Sequence, residues 1–391
     1  MKSNKILLPF SLFCIYYLQG ILYASGSIVS QGILLIYLLI GLKCANQTIS
    51  NKCTPRCLIL WGVLFVMQAI CFVVSPKEVN GTINEAIGRV ATFNQFKEIS
   101  IFILTLMIGY YYSCKASTSP KQLFWIGLAF FGLSVVQYAY ASTKLLIEYG
   151  RETTNNAGYF VLIVVPYLPI ILKRNKLLGI ALVVIAVGLI MWSAKRGALV
   201  CLLASALYSL VYYLKRHRVR VKTIVGIAVM LTVAGYFIYS QFMENEYLQY
   251  RLEATMEGKS SNRDVAYSQL FNHWLNETNP LLFLFGNGTA QTISVWGNYG
   301  HNDWLELLID NGLIGAVLYF AIFVSTISYI KKAKLLFEIK LSAYLCVLIL
   351  FMQSCFSMGF TSGGNGILVF LLGIIIGNNE NEKREARIYA H

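Results

Sequence analysis

Twelve apolar stretches recur along the chain, at about 6–24, 27–42, 57–74, 99–114, 122–141, 157–172, 177–192, 197–214, 222–240, 311–330, 341–357 and 364–377. At about 1.5 Å of rise per residue, most reach across a ~30 Å hydrocarbon core, some only with their flanks. Each is expected to be helical, because lipid offers the backbone no other hydrogen-bond partner. The pattern predicts an all-α polytopic membrane protein, 1–391 forming one integral domain.

Three polar segments interrupt it on one side. The first runs over 75–98, where Ile83, Ile87 and Val90 recur at helical spacing and predict a short amphipathic helix on the membrane surface. The second covers 142–156. The third, 241–310, is the largest. Within it Gly258 to Asn262 reads as a turn and helix start. Tyr267, Leu270, Phe271, Trp274 and Leu275 then follow the i, i+3, i+4, i+7, i+8 spacing of an amphipathic helix, which Asn279-Pro280 ends. Gly286-Asn287-Gly288 reads as a turn. Leu305, Leu308, Ile309, Gly312 and Leu313 form a further helical stripe running into the membrane, with His301 at its N-terminal edge.

Composition agrees with the pattern. Hydrophobic residues make up 57% of the chain and charged residues 13%, against roughly 25% charged in soluble domains. The net charge of +14 reports orientation rather than a nucleic-acid partner. With the N-terminus inside, 22 of the 32 Lys and Arg residues fall in inner segments, accompanied there by only four carboxylates. Both termini are then cytoplasmic and the large loop lies outside. The exception is the short outer connection Trp192-Ser193-Ala194-Lys195-Arg196-Gly197, whose two cations stand against the trend and mark a candidate site. The nine cysteines lie in spans or inner connections, so no disulfide framework is implied. Lys2, Lys5 and the apolar run to Ala24 resemble a signal sequence. A retained first span better completes the charge alternation.

The chemistry-bearing residues are few. The three aspartates are Asp264, Asp303 and Asp310, with no D-x-D pair for a metal-bound nucleotide sugar, no H-E-x-x-H and no Walker or Rossmann loop. No metal or cofactor is expected. Of the four histidines only His273 and His301 face outward, and His301 has the better position. A helix N-terminus disfavours imidazolium and would hold its ring neutral, ready to take a proton. The alternative is an ordinary surface-loop histidine. The outer cations include Lys195, Arg196, Arg251, Lys259 and Arg263; an arginine fork matches a phosphate at two points. The bland reading is that Arg251 and Arg263 pair with Glu253, Glu257 or Asp264. Taken together, a neutral base and a cluster of cations at the outer face suit transfer from a lipid-linked phosphate donor.

Three blocks resemble the O-antigen ligase and polymerase family of bacterial membrane glycosyltransferases. They are Ser193-Ala194-Lys195-Arg196-Gly197-Ala198, then Ser261-Asn262-Arg263 with its helix through Gly286-Asn287-Gly288, and His301-Asn302-Asp303-Trp304-Leu305-Glu306 followed by Asp310-Asn311-Gly312-Leu313-Ile314-Gly315. The likeness covers about 150–330. Lys195 and Tyr267 depart from the commoner residues at their places. The resemblance implies a GT-C-like fold in the bacterial inner membrane, with its active site facing the periplasm. It also implies a glycan donor on undecaprenyl diphosphate. His301 would be the base, and Arg196 and Arg263, with Lys195 and Arg251 beside them, would bind the diphosphate. Asn302, Asp303 and Glu306 are candidates to orient or hold the acceptor. A chain-length regulator and a flippase would be its protein partners. The first expectation is a polysaccharide polymerase extending a lipid-linked repeat unit. A ligase acting on a lipid A core is the close alternative, protein O-glycosylation the third, and a flippase for lipid-linked sugars the alternative of another class.

Overall fold

The structure is a computed structural model. It describes residues 6–51, 53–75, 85–149, 156–193, 195–216 and 263–389, together with the single positions Tyr236, Ser240, Gln249 and Glu253. The apolar stretch 222–240, apart from two of those positions, the opening of the large loop to 262, and Arg251 and Lys259 lie outside the described residues.

The chain is an all-helical, polytopic membrane protein. The helices are α1 (Leu7–Tyr17), α2 (Ile28–Ile49), α3 (Arg56–Val74), α4 (Glu85–Lys115), α5 (Pro120–Tyr149), α6 (Ala157–Leu162), α7 (Leu168–Arg174), α8 (Lys176–Trp192) and α9 (Arg196–Arg216). After the large loop come α10 (Arg263–Leu275), α11 (Pro280–Phe285), α12 (Thr292–Trp296), α13 (Asp303–Lys332), α14 (Phe337–Phe356) and α15 (Gly366–Tyr389). Among the described residues seven helical segments are long and apolar enough to cross a membrane, and α1 and α8 are shorter apolar helices. The span through 157–172 is bent where Pro166 and Pro169 stand. There a 3₁₀ turn, Val165–Tyr167, joins α6 to α7.

The core is built on the pairing of α4 with α15. Glycines let the two backbones meet. A Cβ at Gly109 would stand 2.6 Å from the Phe370 carbonyl oxygen, and one at Gly377 2.5 Å from that of Tyr110. Without a hydrophobic drive between helices in lipid, such close backbone approach is a main source of association.

Two loop readings change. The segment expected to lie on the surface before 99 is the first part of α4, continuous with the span that follows. Ala91, Thr92 and Gln95 are buried. Two of its polar side chains find partners inside the protein: the Gln95 amide donates to Asp310 at 2.9 Å, and Glu98 accepts from the Gly363 N–H at 2.9 Å. Such pairing offsets part of the cost of burial where a surface position was expected. The second segment shrinks, because α5 continues to Tyr149.

The stripe ending in Gly312 and Leu313 is also not one smooth helix. Gly312, at φ +63° and ψ −166°, breaks α13 in two. The break strands carbonyls that the next turn would have bonded. The Asn287 N–H donates to the Ile309 carbonyl at 2.8 Å, and the Gly288 N–H to that of Asp310 at 3.0 Å. Gly286 (φ +81°) and Gly312 pack into each other's loops, and a Cβ on Gly312 would stand 2.6 Å from the Phe285 nitrogen. Gly286-Asn287-Gly288 is therefore the clasp on this break. Gly312→Ala is expected to cost about 2–3 kcal/mol, from a backbone conformation closed to side chains and from overpacking against α11. A thermal unfolding midpoint equal to wild type in detergent would refute that account.

Candidate active site

Lys195 and Arg196 stand where α9 begins. Just ahead of them Ser193 is buried, and its hydroxyl accepts from the Lys195 N–H at 3.3 Å. A Cβ at Gly197 would collide with the Tyr159 hydroxyl and the Phe356 ring, so a larger residue cannot follow Arg196 without displacing them. The Lys195 ammonium lies 5.8 Å from the centre of the Tyr159 ring. That places the Lys195–Gly197 turn against α6 and the end of α14.

Arg263 is the first residue of α10, and its guanidinium donates to the Phe356 carbonyl at 2.8 Å. A cation on the last carbonyls of a helix is favourable for charge as well as hydrogen bonding. The anchor uses one of the five donors of the fork. The buried face of α10 is set by Ala266 and Leu270 with Tyr267 and Trp274 half-buried, whereas Phe271 and Leu275 are exposed. The expected stripe is thus rotated toward Arg263.

His301 sits just ahead of α13 at φ +52°, an uncommon conformation for a residue with a side chain. Two bonds hold it there. Its N–H donates to Glu306 Oε1 at 3.0 Å, and its carbonyl accepts from the Tyr267 hydroxyl at 3.1 Å. The next residue, Asn302, caps α13 by accepting from the Trp304 and Leu305 N–H groups, and its amide donates to the Cys355 carbonyl at 2.9 Å. The His301 pKa is lowered from 6.5 to about 4. Burial is the largest cause, followed by the charges of Arg263 and Lys195. Partial burial and two nearby cations thus disfavour imidazolium, beside the helix end from which the sequence predicts the same effect.

The structure thus brings His301, Arg263 and Lys195 into one corner, with Arg196 next to Lys195 at the start of α9. Asn302, Asp303 and Glu306 turn inward. Asp303 is fully buried and accepts from the Gly359 and Phe360 N–H groups, from Thr361 and from Ser354, at 2.8–3.2 Å. Its contacts are with the loop after α14 rather than with an acceptor. Glu306 is buried as well. One of its oxygens holds the His301 turn, and the other has no hydrogen-bond partner among the described residues. Farther along, Asp310 accepts from the Ala290 and Gln291 N–H groups at 3.0 and 2.9 Å, and Asn311 from Gln68 at 2.6 Å.

Sequence reasoning passed over the loop 357–364. Its signal was a run of small residues, Ser357, Gly359, Ser362, Gly363 and Gly364, between two spans. The loop follows directly on Cys355 and Phe356, the last residues of α14, whose carbonyls hold Asn302 and Arg263.

Residues 180–320 match the family model described as O-antigen ligase. Over that stretch the chain is similar to the O-antigen ligase/polymerase family. The match begins in α8 and ends in α13, so it takes in Lys195, Arg196, Arg263 and the whole His301–Glu306 block. The loop 357–364 lies beyond it. The match supports an O-antigen ligase/polymerase-type function; members of that family are glycosyltransferase-like enzymes, and the family implies lipid-linked polysaccharide substrates. No curated protein matches the chain.

Proposed function

We propose that the chain is a surface-polysaccharide polymerase of the bacterial inner membrane. It would transfer a glycan from undecaprenyl diphosphate to a sugar of another lipid-linked repeat unit. The observation that carries this reading is the meeting of a neutral, half-buried His301 with Arg263 and Lys195. In the reaction His301 takes the proton of the acceptor hydroxyl as that oxygen bonds to the anomeric carbon of the donor. The bond from that carbon to the diphosphate oxygen breaks, and its electron pair leaves with undecaprenyl diphosphate. Arg263, Lys195 and Arg196 neutralise the charge that develops there. Arg251, in the same loop, is proposed to join them. Asn302, Glu306 and Asp303 act by orienting this corner. The site faces the periplasm, where lipid-linked repeat units would meet.

A gel assay tests the reading. Membranes containing the protein receive labelled lipid-diphosphate repeat units, with and without a lipid A-core acceptor. A ladder formed without the core is the expected result. A single shift that requires the core would make the enzyme a ligase using the same base and cations. No transfer in either lane would overturn both. In the same assay Arg263→Ala and Lys195→Ala are each expected to lower kcat/KM for the donor by about 10- to 100-fold, the worth of one charge-assisted bond. Lys383→Ala, a control on α15 that pairs with Glu380, should have no effect. Equal losses from all three would exclude a specific role for the cations.

A further inference from the structure

A cleft of about 930 Å³ lies between α10 and α12, apart from the His301 corner. α10 lends it Gln269, Asn272 and His273 on one face, and Asn276 follows just past the helix end. The spacing i, i+3, i+4, i+7 is that of a single stripe. On most amphipathic helices such a polar stripe meets only water. Here a second wall, carrying Gln291 and Ser294, stands against it. The wall is fixed. The Gln269 amide donates across to the Val295 carbonyl at 2.8 Å, and the Gln291 N–H is held by Asp310 at 2.9 Å. The side chains of His273 and Asn276 make no hydrogen bond among the described residues, so their donors and acceptors are open to the cleft.

We propose that this cleft is an oligosaccharide-binding subsite, and that it holds the glycan several sugars away from the bond being made. The proposal rests on the transferase reading for its place in the reaction, and on the cleft alone for its chemistry. Amide, imidazole and hydroxyl side chains both give and accept hydrogen bonds, as sugar hydroxyls do. Among the described residues no lysine or arginine lines the cleft, and Glu277 adds a carboxylate. That lining offers a phosphate no cation and suits neutral or amine-bearing sugars. Arg263 and His273 stand ten residues apart on one helix, about 15 Å along its axis. The cleft stripe lies on another face of α10 from Arg263, so a glycan leaving the reacting centre reaches the cleft by passing both along and around the helix.

The test uses full-length protein in lipid nanodiscs. The probe is the oligosaccharide released by mild acid from the host cell's own surface polysaccharide, which carries neither lipid nor diphosphate. Saturation-transfer NMR reads its binding. Wild type and His301→Asn are expected to bind it equally. The double variant His273→Ala with Asn276→Ala should bind at least about tenfold more weakly, since each lost partner is worth up to about tenfold. Ser294→Tyr, which fills the cleft from the other wall, should do the same. Absence of saturable binding to wild type, or equal binding by both cleft variants, would overturn the subsite. Because binding of this probe needs no catalysis, it survives if the transferase reading fails. Transfer kinetics then distinguish the source. A raised KM for the donor places the donor glycan in the cleft, and a raised KM for the acceptor places the repeat unit there. Unchanged values for both would overturn its role in transfer.

Discussion

His301→Asn is expected to lower glycan transfer by about 10²- to 10⁴-fold, the usual worth of a positioned general base. Asparagine is the informative replacement. It tolerates positive φ better than most residues, so the turn at φ +52° is kept, and it cannot take the proton. The loss should fall on kcat, with the KM for the donor nearly unchanged, because the cations that bind the diphosphate remain. Near-wild-type transfer by this variant would place the base elsewhere.

The pH profile gives an independent reading of the same residue. A histidine whose pKa lies near 4 is neutral, and competent as a base, above about pH 4. It loses that competence as the pH falls through this value. The profile of kcat/KM reports the free protein, so its acid limb belongs near pH 4. Two cations beside the ring help to hold the value down. A bound diphosphate offsets their charge, and the limb in kcat should therefore move upward. Arg263→Ala removes one of the cations and should raise the limb in kcat/KM as well. A limb near 6.5 that does not respond to Arg263→Ala would mean that the ring is neither buried nor under the influence of the cations.

Much of this architecture was legible in the chain. Apolar runs and charge alternation carried the membrane class, since in lipid the backbone leaves a hydrophobic run no alternative to a helix. His301, Arg263 and Lys195 stood out because ionisable groups are scarce in such a sequence. Other features were hidden for identifiable reasons. The segment before 99 looked like a surface helix because periodicity records which residues are apolar, not which polar residues have partners. Gln95 and Glu98 find theirs at Asp310 and Gly363, more than 200 positions away. Gly312 fitted a helical stripe because a glycine is silent about its own φ. The influence of Arg263 and Lys195 on His301 was hidden in the same way, because they are close to it only in space.

Asp303→Ala is expected to destabilise the protein by about 3–5 kcal/mol, the cost of leaving buried donors without their charged acceptor. Asp303 gathers the N–H groups of Gly359 and Phe360 and the hydroxyls of Thr361 and Ser354, all inside the core. Tyr319 backs Ser354 at 2.7 Å. Alanine offers these groups nothing and is too small to close the space. Asp303→Asn should cost less. Its remaining oxygen can still accept at the place of Oδ2, where the Phe360 N–H and Ser354 donate, while the Thr361 hydroxyl turns to accept from the new amide. The order wild type, Asn, Ala in thermal unfolding midpoint is therefore the prediction, and equal midpoints for Asn and Ala would refute the accounting. The consequence for transfer follows from the end of α14, to which the loop is joined. The Cys355 and Phe356 carbonyls fix Asn302 and Arg263, so loosening the loop loosens the cap before α13 and the cation on α10 together. Asp303→Asn, assayed well below its midpoint, should lose donor binding and turnover jointly, whereas His301→Asn loses turnover alone. That difference separates a residue that builds the corner from the one that carries the proton.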